Sequence, residues 1–112
     1  MSHDLYTYGS TDPIYFKITL AGVGVNVTLA TNDVRLSQDG ASGGSIIDIT
    51  SECAAVDGTN LPGLYKWTPN PASRTQCGVM AIYIKDASAG GAFDENCLVI
   101  STGGNASARF SG

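Results

Sequence analysis

The sequence predicts an all-β fold, a sandwich of about seven short antiparallel strands, and three observations carry that expectation. Several short runs alternate apolar and polar residues with a period of two. Turn signals built from Gly, Pro, Asn and Asp separate these runs at intervals of about 8–15 residues. No helical periodicity extends beyond one turn. A barrel is the second architecture that fits the pattern, and there is no internal repeat. At 112 residues the chain is the size of one domain, and such a domain buries roughly two-thirds of the surface its unfolded form exposes.

The first strand is expected at Pro13–Leu20, where Ile14, Phe16, Ile18 and Leu20 fall on one face and Tyr15, Lys17 and Thr19 on the other. Gly22 and Gly24 punctuate it, and Val25, Val27 and Leu29 then alternate with Asn26 and Thr28 in an expected second strand. The third, Val34–Gln38, closes on the turn signal Asp39-Gly40. After the flexible Ala41-Ser42-Gly43-Gly44, the β-branched run Ser45–Thr50 reads as a strand. Asp57-Gly58-Thr59-Asn60 is a turn, and Leu61-Pro62-Gly63 has the Pro-Gly order of a type II turn leading into a strand at Leu64–Thr68. Pro69 and Pro71 make the next segment a connection. Gly78–Lys85 is apolar on both faces and reads as the central strand of a two-layer core. Glu95–Ser101 is the last strand. The domain is therefore expected over residues 13–102, with terminal arms at 1–12 and 103–112.

Composition narrows the functional classes. Apolar residues make up 43% of the chain and charged residues 14%, against about 25% charged in ordinary soluble domains. That balance suits either a surface partly covered by a partner or a plain β domain with a Ser/Thr/Gly-rich exterior. Ten acids against six bases, with no basic cluster, argue against binding nucleic acid through phosphate neutralisation. No stretch approaches the ~20 apolar residues of a membrane helix. The opening MSHDLYTYGS has neither the basic nor the apolar region of an export signal, so a soluble chain without one is expected.

Tests for chemistry find no support. Cys53, Cys77 and Cys97 are odd in number and widely spaced, which supports neither a disulfide framework nor a zinc site. Each lies beside small or apolar residues and is expected to act as a small buried hydrophobe rather than a redox group. The acids at Asp39, Asp57, Asp86, Asp94 and Glu95 lie in turn-like contexts and are expected to serve turns, not acid–base catalysis. Asp33, Asp39, Asp48, Asp57, Asp94 and Glu95 lack the spacing of a calcium loop. His3 is the one imidazole and lies near the start of the chain, so no held base for a nucleophile is expected. The glycines around 22–24 and 43–44 form no phosphate-cradling motif. The sequons at Asn26 and Asn105 carry no weight without an export signal. No catalytic residue, cofactor or metal is expected.

Binding is where the features point. Leu5, Tyr6 and Tyr8 in the leading arm, and Arg109 and Phe110 in the trailing one, stand among Ser, Gly and Thr. A partner surface would bury such aromatics at ~150–250 Å² each, although the arms could equally fold back on their own sandwich. Tyr65 and Trp67 share a strand face, which suits either a stacking platform for a glycan or the Trp-containing core that sandwiches often have. Unpaired edge strands would also admit strand addition from a neighbour, and the sequence does not choose the edge.

A resemblance covers most of the chain, from about Thr11 to Ser101. The run Thr11-Asp12-Pro13-Ile14-Tyr15-Phe16-Lys17-Ile18-Thr19 resembles the opening strand of small Ig-like modules in virion proteins of tailed bacteriophages. Val34–Gly40, Gly63-Leu64-Tyr65-Lys66-Trp67, Ile82–Asp86 and Asp94–Ile100 are similar to the same modules in order and spacing. The resemblance implies an Ig-like β-sandwich and a structural role in many symmetric copies on a virion assembled in the host cytoplasm. It implies no enzyme, with the major capsid protein or other virion proteins as partners. With no heptads or repeats to form a shaft, the size fits a free-standing capsid decoration (cement) protein that docks through its arms. A neck, head-fibre or tail component with an adhesion role is the alternative, and a carbohydrate-binding module a second.

Overall fold

The computed structural model describes the backbone of residues 5–6 and residues 11–39, 43, 46–70, 78–88 and 90–102. The leading strand β1 is Leu5–Tyr6, β2 is Ile14–Lys17, β3 is Thr19–Leu20 and β4 is Val23–Gly24. Then come β5 at Val34–Gln38, β6 at Ile47–Asp48, a 3-10 turn at Thr50–Glu52 and β7 at Cys53–Ala55. The last three strands are β8 at Leu64–Trp67, β9 at Gly78–Ile84 and β10 at Asn96–Thr102.

These strands form a five-stranded sheet ordered β1-β10-β9-β5-β6, a three-stranded sheet ordered β2-β8-β7 and the small hairpin β3-β4. All pairings are antiparallel except β1 with β10, which is parallel. The fold is thus a β-sandwich, and its core lies between the two larger sheets. The three-stranded sheet contributes Ile14, Phe16, Tyr65 and Trp67, and the five-stranded sheet contributes Val34, Leu36, Met80, Ile82 and Ile84. Ile18, Ile49 and Phe93 seal the layer from the connections.

The expected first strand is broken after Lys17. Ile18 turns both backbone groups to other partners, its N–H to the Gly63 carbonyl and its carbonyl to the Val25 N–H. The chain then enters the hairpin β3-β4, whose two loop residues Ala21 and Gly22 have φ of 53° and 82°. Positive φ at both positions is the geometry that matches the strand twist in a two-residue hairpin.

Val25–Leu29, expected as a strand, joins no ladder. Its apolar residues still pack on the core, and side chains replace the missing ladder. The Tyr65 hydroxyl accepts the Val27 N–H at 2.8 Å and donates to the Val27 carbonyl at 2.7 Å. The Asn26 amide donates to the Gly58 carbonyl and accepts from the Gly63 N–H.

Besides β4 of the hairpin, two strands are additions to the expected set. β7 is a small-residue run with no alternation to reveal it, and it forms because the 3-10 turn delivers it beside β8. β1 places the Leu5–Tyr6 backbone in the five-stranded sheet opposite Ser101 and Thr102. These residues lie within the expected leading arm, 1–12, for which folding back on its own sandwich is one of the two expectations. Ser45 of the expected strand Ser45–Thr50 lies outside the described residues; from Ile46 on, only Ile47–Asp48 pairs as β6, and the Asp48 carboxylate takes the Thr50 N–H and hydroxyl where the 3-10 turn begins.

Tyr65 and Trp67 are corrected as a glycan platform. They are 3% and 0% exposed. The Tyr65 ring stacks on Phe16 at 6.0 Å between centroids, and the Trp67 indole N–H donates to Glu52 Oε1 at 2.8 Å. A sugar has no face to reach.

Candidate binding surface

β9 is central in its sheet, as expected, but only one of its faces is covered among the described residues. Met80, Ile82 and Ile84 enter the core, while Val79, Ala81 and Tyr83 point outward. Registration with the neighbouring strands sets Cys97, Tyr83, Arg35 and Asp48 in one outward row and Val99, Ala81 and Ser37 in the next. Residues paired across an antiparallel ladder share a face, so this outer surface is assembled from four strands. Its exposed apolar points are Val99 at 61%, Val79 at 48% and Ile46 at 42% exposure, and the exposed Asp48 stands at its β6 margin.

A shallow groove of about 350 Å³ runs along this face, lined in part by Arg35, Ser37, Ile46, Ala81, Tyr83 and Cys97. The Arg35 guanidinium lies 5.4 Å from the centre of the Tyr83 ring, the distance of a cation–π contact. Its Nε is buried with no hydrogen-bond partner among the described residues. A buried N–H of this kind is a directed donor for a carbonyl or carboxylate that a docking partner would bring.

The cysteines divide. Cys53 is partly buried and its thiol donates to the Ile49 carbonyl. Burial first, then the negative field of Asp48, pushes its pKa up to about 12. Cys97 is exposed, which corrects the expectation of a buried hydrophobe: it falls on the outward set of β10. Cys77 lies outside the described residues.

The aspartates hold the backbone. Asp94 accepts from the N–H groups of Ala21 and Gly22 and from the Thr19 hydroxyl, clasping the β3-β4 hairpin. Those bonds, the Gly22 and Ala21 amides ahead of the hydroxyl, hold its carboxyl below the usual carboxylate range. Asp57 is lowered by the Asn60 side chain and then by the Asn60 and Thr59 amides, and Asp86 by the Ser88 hydroxyl and then the Ala92 amide. Burial pushes Asp48 up, but the Thr50 hydroxyl and amide, the Asn32 amide and the Arg35 cation outweigh it and set it low. Asp33 bridges the Ala30 and Ala87 amides, and Asp39 accepts from Val79. Among the described residues no three His, Cys, Asp or Glu side chains gather to hold a metal.

Of the residues expected to meet a partner, Leu5 and Tyr6 are placed by their backbone in β1. Tyr8, Arg109 and Phe110 lie outside the described residues. The outer-face residues went unrecognised because an all-apolar strand reads as doubly buried; the Arg35 and Lys85 charges that flank the face were the available signal.

No family model matches the chain, and neither a curated protein nor a solved structure matches it significantly.

Proposed function

We propose that this chain is an Ig-like structural module of a tailed-phage virion, a decoration protein that docks on the assembled shell through the outer face of its five-stranded sheet. The observation that carries the reading is that face: an apolar surface over four strands with Val79, Val99 and Ile46 exposed and a buried guanidinium N–H left to be paired. Exposed apolar side chains gathered in a contiguous patch mark interaction sites in monomeric domains.

The strand order supports the Ig-like part of the proposal. β2-β8-β7 against β10-β9-β5-β6 repeats the B-E-D and G-F-C-C′ neighbours of immunoglobulin sandwiches, with β1 crossing to lie parallel to the last strand. The order of sequence features shared with virion modules supplies the link to a shell. Docking that spans shell subunits would bury ~1,200–2,000 Å² per copy and stabilise the assembled form by linkage.

Cosedimentation of the purified protein with expanded, undecorated shells tests the proposal. Binding in hundreds of copies, weakened at least about tenfold by Val79→Asp with Ile46→Asp, is the expected result. Binding of about a dozen copies assigns the protein to a neck, fibre or tail position instead.

A further inference from the structure

We propose that the outer face of the three-stranded sheet is a second docking surface, and that it takes an extended acidic segment of a partner protein through Lys17 and Lys66. The inference does not depend on the face of the five-stranded sheet or on any role in a virion.

The ladder builds this face. Tyr15 pairs with Lys66 across β2 and β8, and Lys66 with Ala54 across β8 and β7. Lys17 pairs with Leu64, and the Val56 N–H bonds the Leu64 carbonyl, which carries the same register one residue past β7. Tyr15, Lys66 and Ala54 thus form one row, and Lys17, Leu64 and Val56 the next. Ile14, Phe16, Tyr65 and Trp67, which alternate with them, enter the core, so both rows point outward.

Described chain surrounds the face on every strand. Residues 11–13 and 18–26 flank β2, 49–52 and 56–63 flank β7, and 56–63 and 68–70 flank β8. With all of these in place Tyr15 is 55% exposed, and Lys17, Ala54 and Val56 are exposed as well. Lys66 in the middle is half-buried, as befits a long stem lying between two neighbours with its ammonium outermost.

Charge singles this face out. The chain carries a net charge of −4, yet two of its six cations stand diagonally on these rows, with no acid at any of the six positions. Neither lysine forms an ion pair or a side-chain hydrogen bond among the described residues. Glu52, which precedes β7, accepts from the Trp67 indole and the Asn70 N–H instead. Lys17 is also held in place: a Cβ added to Gly24 would stand 3.0 Å from its Cε. The stem therefore lies against β4, and less side-chain freedom is lost when the ammonium is paired.

Spacing selects the partner. Diagonal neighbours on a sheet lie about 7–8 Å apart, and alternate side chains on one side of an extended chain lie about 6.6 Å apart. Carboxylates at positions i and i+2 of an extended segment can thus meet Lys17 and Lys66 together, with Tyr15 and Leu64 on the other diagonal beside the intervening backbone. Single surface ion pairs are weak, but two in register over Tyr15, Ala54 and Leu64 add apolar burial to charge. A nucleic-acid strand fits less well, because the net charge repels it and the face offers only two cations to its phosphates.

Titration of the full chain with a capped Gly-Glu-Val-Glu-Gly peptide, followed through backbone amide chemical shifts, is the test. Shifts centred on Tyr15, Lys17, Leu64 and Lys66 are expected, and they should fade as salt rises from about 20 to 200 mM. Lys17→Gln with Lys66→Gln shortens neither row and should weaken binding at least about threefold, while far-UV dichroism and Trp67 emission stay unchanged. Lys85→Gln, just past β9 of the other sheet, should leave binding intact. A peptide with glutamine in place of both glutamates should not bind. No shifts at millimolar peptide, shifts centred elsewhere, binding that survives the double lysine variant or is lost in Lys85→Gln, or equal binding of the glutamine peptide or of a single-stranded oligothymidylate overturns the proposal.

Discussion

At the scale of single residues, the molecule is held by polar side chains that stand in for backbone ladders. Tyr65 is the clearest case, since one buried hydroxyl serves both backbone groups of Val27. Tyr65→Phe leaves that N–H and carbonyl without their partner in a half-buried strip, and should cost about 1–3 kcal/mol in urea unfolding. The thiols give a second readout. Cys97 is exposed, whereas Cys53 is partly buried and has its pKa pushed up to about 12. A neutral alkylating reagent should modify Cys97 in the native protein and reach Cys53 only when the protein unfolds, as peptide mapping would show.

At the scale of elements, two glycines with nearly equal dihedrals sit in different surroundings. Gly22 in the β3-β4 turn has φ of 82°, and an added Cβ there meets nothing within 4 Å. Gly63 before β8 has φ of 83°, and its Cβ would overlap the Ile18 carbonyl oxygen and crowd the backbone of Gly24 and Val25. Gly22→Ala should lose about 1 kcal/mol, the conformational term alone. Gly63→Ala should lose distinctly more, because the crowding atoms are backbone and belong to the junction where β2 leaves its sheet. Chemical denaturation of the pair would separate strain from overlap. Equal losses would mean that the junction yields.

At the scale of the whole molecule, the aspartates make stability depend on acid. Asp48, Asp57, Asp86 and Asp94 all titrate below the ordinary carboxylate value in the folded state. A depressed folded pKa adds stability above the unfolded value of about 3.9, and that stability disappears as pH falls through the lower folded values. The melting temperature should therefore hold down to about pH 5 and fall steeply below about pH 4. Asp94→Asn should flatten part of that fall while lowering the melting temperature at neutral pH, since the two hairpin N–H groups bond different carboxylate oxygens and an amide puts an NH2 donor in place of one of them.

Local signals made much of the sandwich legible. Alternation at Ile14–Lys17, the β-branched and apolar runs at β5, β9 and β10, and the Pro62-Gly63 turn are properties of adjacent residues, which is why the sequence determined the all-β class, the central place of β9 and the turn roles of Asp57 and Asp86. Tertiary structure alone decided the rest. Val25–Leu29 has the strand pattern, but Tyr65 and Asn26 engage its backbone before any strand can. Cys53–Ala55 lacks the pattern, yet pairs because a 3-10 turn places it beside β8. The Tyr65 and Trp67 face, shared across the ladder with Phe16 and Ile14, turned inward because the five-stranded sheet packs against it. The face bearing Val79, Tyr83 and Val99 stayed outward because the second sheet covers only one side of β9. Period-two alternation separates the two faces of a strand, but which face meets the core depends on the layer that packs against it.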